Sequence, residues 1–284
     1  MSQPLFAFFG TPHIATLVLD RLEAAGLAPA LIVTAPDKPA GRGLELKPSA
    51  VKLWAIERGI DVIAPATLKD TLLVAELQNT DWDVFVVSMY AKIIPKAVLD
   101  IPKHGCLNVH PSLLPKFRGP SPVLSAILQD ERHTGVTIMK LDEKMDEGPI
   151  LAQAKIELDE DVWPPKGSEF EALLAQEGGD LLAEVLPLWV EGKIPTEQQN
   201  HAEATYTGKY SDEDACIDLT ADPRHNFLKI RAFDKSPKPY FLTSAGKRVI
   251  IKDAEFNDGQ LVITRVTPEG KKEMDYKDFL RGQQ

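Results

Sequence analysis

Asp83-Val84-Phe85-Val86-Val87-Ser88 and Gly105-Cys106-Leu107-Asn108-Val109-His110 are two short, nearly unbroken apolar runs, and their reading decides the fold. Runs of this length without a polar face read as strands buried on both sides. Outward toward the N-terminus the same theme repeats. Leu5 to Phe9 is an apolar run, Gly10-Thr11 a turn, and Pro12 to Ala25 predicts a helix with Ile14, Leu17, Val18 and Leu22 on one face. Pro12 suits the first helical turn and Gly26 the stop. Ala30 to Thr34 and Asp61 to Ala64 read as strands, and Ser49 to Arg58 and Thr71 to Gln78 as helices. Strand–helix alternation of this kind predicts a Rossmann-like, mostly parallel sheet with helices on both faces, whose ligands lie at the carboxyl ends of the strands.

Toward the C-terminus the pattern changes. Thr134 to Leu141 and Ile150 to Glu157 read as strands, and an amphipathic helix spans Gly167 to Trp189. Gly192 to Asn200 has the look of a linker. From Tyr206 onward short apolar runs, Tyr240 to Thr243, Arg248 to Ile251 and Gln260 to Val266, are separated by glycine turns. That spacing predicts a small β domain. The expected division is a first domain over 1–191, a linker over 192–205 and a C-terminal β domain over 206–284.

With 32 Lys and Arg against 42 Asp and Glu the formal charge is −10, and 44% of residues are hydrophobic. The apolar fraction excludes general disorder, and the acidic total argues against an indiscriminate nucleic-acid binder. Charge is unevenly spread, however. Arg224 to Lys252 holds eight cations and one anion, a local excess of +7 that leaves −17 on the remainder. Such asymmetry suits an end that meets a polyanion or a solvated basic face. No apolar run approaches a membrane span and the N-terminus has no signal-peptide pattern, so a soluble, cytoplasmic protein is expected. Cys106 and Cys216 lie far apart among apolar residues and are expected to be inert, with no disulfide or metal site.

Neither Gly10-Thr11-Pro12 nor Gly41-Arg42-Gly43 completes a dinucleotide fingerprint, and no phosphate loop occurs. The chemistry is expected elsewhere. Asn108 and His110, two apart on a strand that ends at Pro111, leave by one face at its carboxyl end. An amide and an imidazole there can both donate hydrogen bonds to one carbonyl oxygen and hold the oxyanion formed under attack. The loop Pro111 to Pro122 carries four prolines and a glycine, which stiffen it into a ligand wall. Asp146, in a turn-like stretch, reads alone as an ordinary turn or cap residue.

The order Gly105-x-x-Asn108-x-His110-x-Ser112-Leu113-Leu114-Pro115-x-x-Arg118-Gly119-x-x-Pro122, then Thr134-Gly135-Val136-Thr137 and Met145-Asp146-x-Gly148, resembles the folate-dependent formyltransferase family. Pro36 to Gly43 with Lys47-Pro48-Ser49-x-Val51-Lys52 matches the inserted loop of the family's tRNA-dependent branch. Arg231-Ala232-Phe233 with Pro237 resembles the entry to that branch's C-terminal, OB-type β barrel. A strand pair of the usual barrel is missing between Val249 and Met274, so the implied barrel-like domain is shortened. Other departures are Ala91 and His13, where a glycine and an acidic residue are common, and the weakly basic Leu44-Glu45-Leu46.

The resemblance implies transfer of the formyl group of 10-formyltetrahydrofolate to the α-amine of initiator methionyl-tRNA. A nucleotide-linked amino sugar is the alternative acceptor. It assigns catalysis to Asn108, His110 and Asp146. Met89, Tyr90, Ile93, Ile94, Ser112, Leu113, Leu114 and Pro115 would form the tetrahydrofolate site, and Arg42, Lys38, Lys47 and Arg231 would meet the tRNA. The implied enzyme uses no metal and no membrane and acts as a monomer.

Overall fold

The computed structural model describes residues 3–40 and 45–282. Strands and helices alternate through β1 (Phe6–Phe9), α1 (His13–Ala24), β2 (Leu31–Val33), the hairpin strands β3 (Lys38–Ala40) and β4 (Glu45–Lys47), and α2 (Ala50–Glu57). They continue with β5 (Asp61–Ile63), α3 (Thr71–Gln78), β6 (Val84–Val87), α4 (Lys96–Leu99) and β7 (Cys106–His110). Helices start where side chains can satisfy their first amides. Ser49 accepts from the Lys52 amide at 3.0 Å to open α2, and Asp70 accepts from Leu72 at 2.9 Å to open α3. Then come α5 (Pro122–Leu128), β8 (Thr134–Lys140), β9 (Ile150–Ile156) and α6 (Gly167–Val190).

The chain divides into two compact units. The first comprises Met1–Arg118, Gly135–Ile156 and Ala172–Thr205; the second comprises Gly119–Thr134, Glu157–Glu171 and Tyr206–Gln284. In the first, a seven-stranded sheet runs in the order β5-β2-β1-β6-β7-β8-β9. Its first five strands are parallel, as the apolar runs predict, and β8 turns antiparallel against β7. The sheet has a core on each face because strand side chains alternate. Phe6, Phe8, Val84 and Val86 join one cluster with α1, α2 and α6, whereas Ala7, Phe9, Phe85 and Val87 join another with α3 and α4. Cys106 belongs to the second cluster, where burial pushes its thiol up to about 12, so it stays an inert core residue.

Helix α6 approaches β7 closely enough to require glycine. A Cβ built on Gly178 would lie 2.5 Å from Val109 Cγ1 and 3.0 Å from Val136 Cγ2. Gly178→Ala should therefore force Val109 aside, at an overpacking cost of about 1–3 kcal/mol offset by up to roughly 1 kcal/mol of helix propensity. Because Val109 sits between Asn108 and His110, turnover should fall along with stability. Parallel denaturation and rate measurements check this, and a variant that gains stability refutes the close packing.

In the second unit, α7 (Pro223–Ala232) packs on a four-stranded antiparallel sheet formed by β10 (Tyr240–Leu242), β11 (Arg248–Asn257), β12 (Gln260–Pro268) and β13 (Met274–Asp275), and α8 (Tyr276–Arg281) follows. The β character expected of this region takes the form of that sheet. The turn between β11 and β12 places Asp258 and Gly259 at φ 50° and 76°, the twist-compatible geometry of a two-residue hairpin. Phe227, Ile230, Phe241, Val249, Ile251 and Val266 are among the residues of its core. Helix α7 starts where Asp222 accepts from the His225 amide at 2.7 Å and Pro223 takes the first turn. No helix among the described residues is long and apolar enough to cross a membrane.

Candidate active site

On β7, Leu107 and Val109 point into the first core cluster, so Asn108 and His110 leave by the opposite face, as their spacing predicts. Parallel β6 flanks the strand with Val87 opposite Asn108, and β8 flanks it with Thr137 opposite His110. Asn108 is half-buried, and its amide has no hydrogen-bond partner among the described residues. His110 is buried. Its Nε2 lies 3.0 Å from the Phe117 carbonyl, which can only accept, so Nε2 carries a hydrogen. The other ring nitrogen, Nδ1, takes no part in that contact.

That nitrogen faces Asp146, whose Oδ2 is 3.8 Å away. The aspartate reaches this position through the turn between β8 and β9, where its backbone takes the left-handed conformation at φ 54°. Gly148 makes the return possible, because a Cβ there would run into the Lys140 carbonyl. A lone pair on Nδ1 would oppose the carboxylate. A hydrogen on Nδ1 would make the contact attractive, and at 3.8 Å the two groups are within ion-pair reach but beyond direct hydrogen-bond distance.

The loop after β7 is fixed by hydrogen bonds from the same sheet. Thr137 Oγ1 donates to the Ser112 carbonyl at 2.6 Å and accepts from the Leu114 amide at 3.1 Å. Gln153 Nε2 donates to the Leu114 carbonyl and to Thr137 Oγ1, both at 2.9 Å. Ser112 Oγ turns inward to the Lys116 carbonyl at 2.7 Å. Leu114 is buried, while Leu113 and Pro115 are half-buried. The neighbouring loop after β6 holds Met89 at φ 52° against one core cluster and Tyr90 and Ile94 against the other. Tyr90 meets the Phe9 ring edge-on, its buried hydroxyl has no hydrogen-bond partner among the described residues, and desolvation raises its pKa to about 12. Ile93 is 91% exposed. Since β6 and β7 are adjacent and parallel, both loops leave the same sheet edge.

Residues to which the sequence reading gave no role surround the aspartate. Arg118 is completely buried and donates from Nε and Nη2 to Gln199 Oε1 at 3.0 and 2.7 Å. Its Nη2 also lies 3.1 Å from His201 Nδ1, and its Nη1 3.7 Å from Glu147. Gln199 Nε2 donates to the carbonyls of Asp146 and Gly148 at 2.9 and 2.7 Å. Only Arg118 carried a signal, as the arginine of the proline-rich loop motif. Gln199 stood in a stretch that read as linker, where Glu197 in fact bridges to Ile150.

Lys38 and Lys47 are cross-strand partners on the β3–β4 hairpin, exposed and without an ion-pair partner among the described residues. Like charges placed opposite one another cost stability unless an anion separates them. Arg42 lies outside the described residues. Arg231 sits in α7, donates to the Pro164 carbonyl at 2.8 Å, and has its guanidinium's affinity for a proton lowered by burial. Other cations of the basic segment are also engaged within the second unit. Arg224 pairs with Asp130 at 2.8 Å, Arg248 pairs with Asp212 at 3.1 Å, and Lys229 donates to the Cys216 carbonyl. Among the described residues no three His, Cys, Asp or Glu side chains gather as metal ligands would.

The formyl transferase family matches residues 4–178. Methionyl-tRNA formyltransferase of Chloroflexus aggregans is 45% identical over 235 residues, which cover 82% of this chain and 74% of that one. The enzyme of the same name from Roseiflexus castenholzii is 39% identical over 299 residues, covering 97% and 95%. The solved structure of methionyl-tRNA formyltransferase from Clostridium thermocellum aligns with a TM-score of 0.64 at 16% identity, over 94% of this chain and 99% of that one. On the extent of the family match and the near full-length likeness to these relatives, the chain belongs to the formyl transferase family.

Proposed function

We propose that the protein transfers the formyl group of 10-formyltetrahydrofolate to the α-amine of methionine on initiator tRNA. The observation that carries this reading is the approach of Asp146 Oδ2 to His110 Nδ1 at 3.8 Å, with the Asn108 amide, which has no hydrogen-bond partner among the described residues, on the same strand face as His110. Attack by the neutral amine forms the new C–N bond and drives the formyl π electrons onto oxygen. Asn108 and the Nδ1 hydrogen of His110 stabilise that oxyanion. Asp146 accepts the proton the amine loses. Collapse breaks the bond to the folate nitrogen, which keeps the electron pair and takes a proton from the His110–Asp146 pair. The apolar side chains of Met89, Tyr90 and Ile94, with the braced Ser112 to Pro115 loop, suit a flat ring system between two rigid walls.

Selection of the acceptor would rest on phosphate contacts through Lys38, Lys47, Arg42 and Arg231. Each such contact adds about 0.7–0.9 to the slope of log affinity against log salt. Supplied with 10-formyltetrahydrofolate, the protein is expected to formylate methionyl-tRNA and to leave a nucleotide-linked amino sugar and glycinamide ribotide untouched. Binding of the tRNA should weaken steeply with salt, and Lys47→Ala should flatten the slope by about one contact. Formylation of the amino sugar with methionyl-tRNA inert, or a flat salt response, would overturn the assignment.

A further inference from the structure

We propose that Gln199 is a positioning residue for Asp146, aimed by the buried Arg118 and acting on the turn that carries the carboxylate. The inference rests on the reading of Asp146 as the proton acceptor. Gln199 is 5% exposed, and both ends of its amide are engaged. Its Oε1 accepts two hydrogen bonds from Arg118, at 3.0 and 2.7 Å, while Nε2 donates to the Asp146 and Gly148 carbonyls, at 2.9 and 2.7 Å. A flipped amide would set oxygen against two carbonyls and nitrogen against a guanidinium, so Arg118 determines which way the donor end points.

The two carbonyls belong to the residues on either side of Glu147, so one NH2 group ties both ends of a single-residue span. Asp146 occupies the left-handed region at φ 54°, uncommon for a residue other than glycine although aspartate tolerates it better than most, so hydrogen bonds to the turn's carbonyls help to fix it there. Without the tie the turn loses two of the hydrogen bonds that hold its backbone, and the carboxylate shifts relative to His110 Nδ1. Displacements of about 1 Å at a reacting group cost on the order of 100-fold in rate.

Gln199→Ala removes the tie but also strips Arg118 of a partner, so Gln199→Glu is the sharper variant. It keeps an acceptor for Arg118 and loses the donor. Both variants are expected to lower kcat roughly 10- to 100-fold with little change in KM for either substrate, and Gln199→Glu should retain the melting temperature more closely than Gln199→Ala. If Gln199 acts through Asp146, the effects are not additive: in an Asp146→Asn background, Gln199→Glu should produce no further loss. An equal fold loss in both backgrounds, or wild-type kcat in Gln199→Glu, overturns the positioning role and leaves that of Asp146 standing. Wild-type turnover in Asp146→Asn itself overturns the catalytic reading and the positioning role with it.

Discussion

Asn108→Ala is expected to lower turnover about 100- to 1000-fold while leaving the fold almost as stable as before. The rate loss is the usual consequence of removing one oxyanion donor, about 2.7–4 kcal/mol of transition-state stabilisation. The stability expectation follows from the site. Asn108 is half-buried and its amide has no hydrogen-bond partner among the described residues, so truncation breaks no bond that holds the sheet together. A change within about 0.5 kcal/mol is expected, a shift of roughly 2 °C or less. His110→Ala makes the contrast. It should lose at least as much turnover, but its Nε2 also anchors the Phe117 carbonyl, so stability should drop as well. Single-turnover rates and thermal melts on the two variants test the pair. Near-normal turnover in Asn108→Ala would remove the amide from the chemistry.

That contrast also marks what could be read from the sequence and what could not. The apolar runs at 84–87 and 106–110 identify parallel strands because a strand covered on both faces has no polar side to show. From the two-residue period alone, Asn108 and His110 fall on one face at the carboxyl end. Asp146 is different in kind. An aspartate in a turn has many uses, and only the motif likeness singled it out. Its placement depends on Gly148 slipping under the Lys140 carbonyl and on Gln199, far along the chain. No local pattern reports such long-range hydrogen bonds. Helix α7 shows a second limit. Its basic composition drew notice as charge, while Asp222-Pro223, a good helix start, went unread. The structure sets Arg224 of this helix and Arg248 of β11 against Asp130 and Asp212, and Arg231 against a backbone carbonyl, so part of the basic segment's charge is taken up by contacts within the second unit.

Arg118→Met should be the most destabilising of the substitutions considered, at about 3–5 kcal/mol. Two effects oppose one another. Burying a guanidinium completely is expensive, so an apolar residue of similar length removes a desolvation cost. Against that, the native charge is met by donor geometry a thioether cannot copy, with Nε and Nη2 converging on one oxygen of Gln199 and Nη2 reaching His201. Methionine leaves Gln199 Oε1 buried and unsatisfied, together with the amide that must still hold two carbonyls. An orphaned buried acceptor costs about 1–3 kcal/mol, and the loss of charge-assisted bonds comes in addition. The second effect therefore wins, and a drop of roughly 6–20 °C in Tm is expected for a chain of this size. Arg118→Lys should recover little, because an ammonium on a flexible stem cannot reproduce the planar guanidinium fork that reaches both Gln199 and His201. Glu147→Gln should be milder than either, since Glu147 stands 3.7 Å from the guanidinium, is partly exposed and has Lys144 at 3.4 Å. Chemical denaturation of the three variants orders them. If Arg118→Met matched the wild type, relief of desolvation would outweigh the network, and the buried arginine would serve the orientation of Gln199 without contributing to the stability of the fold.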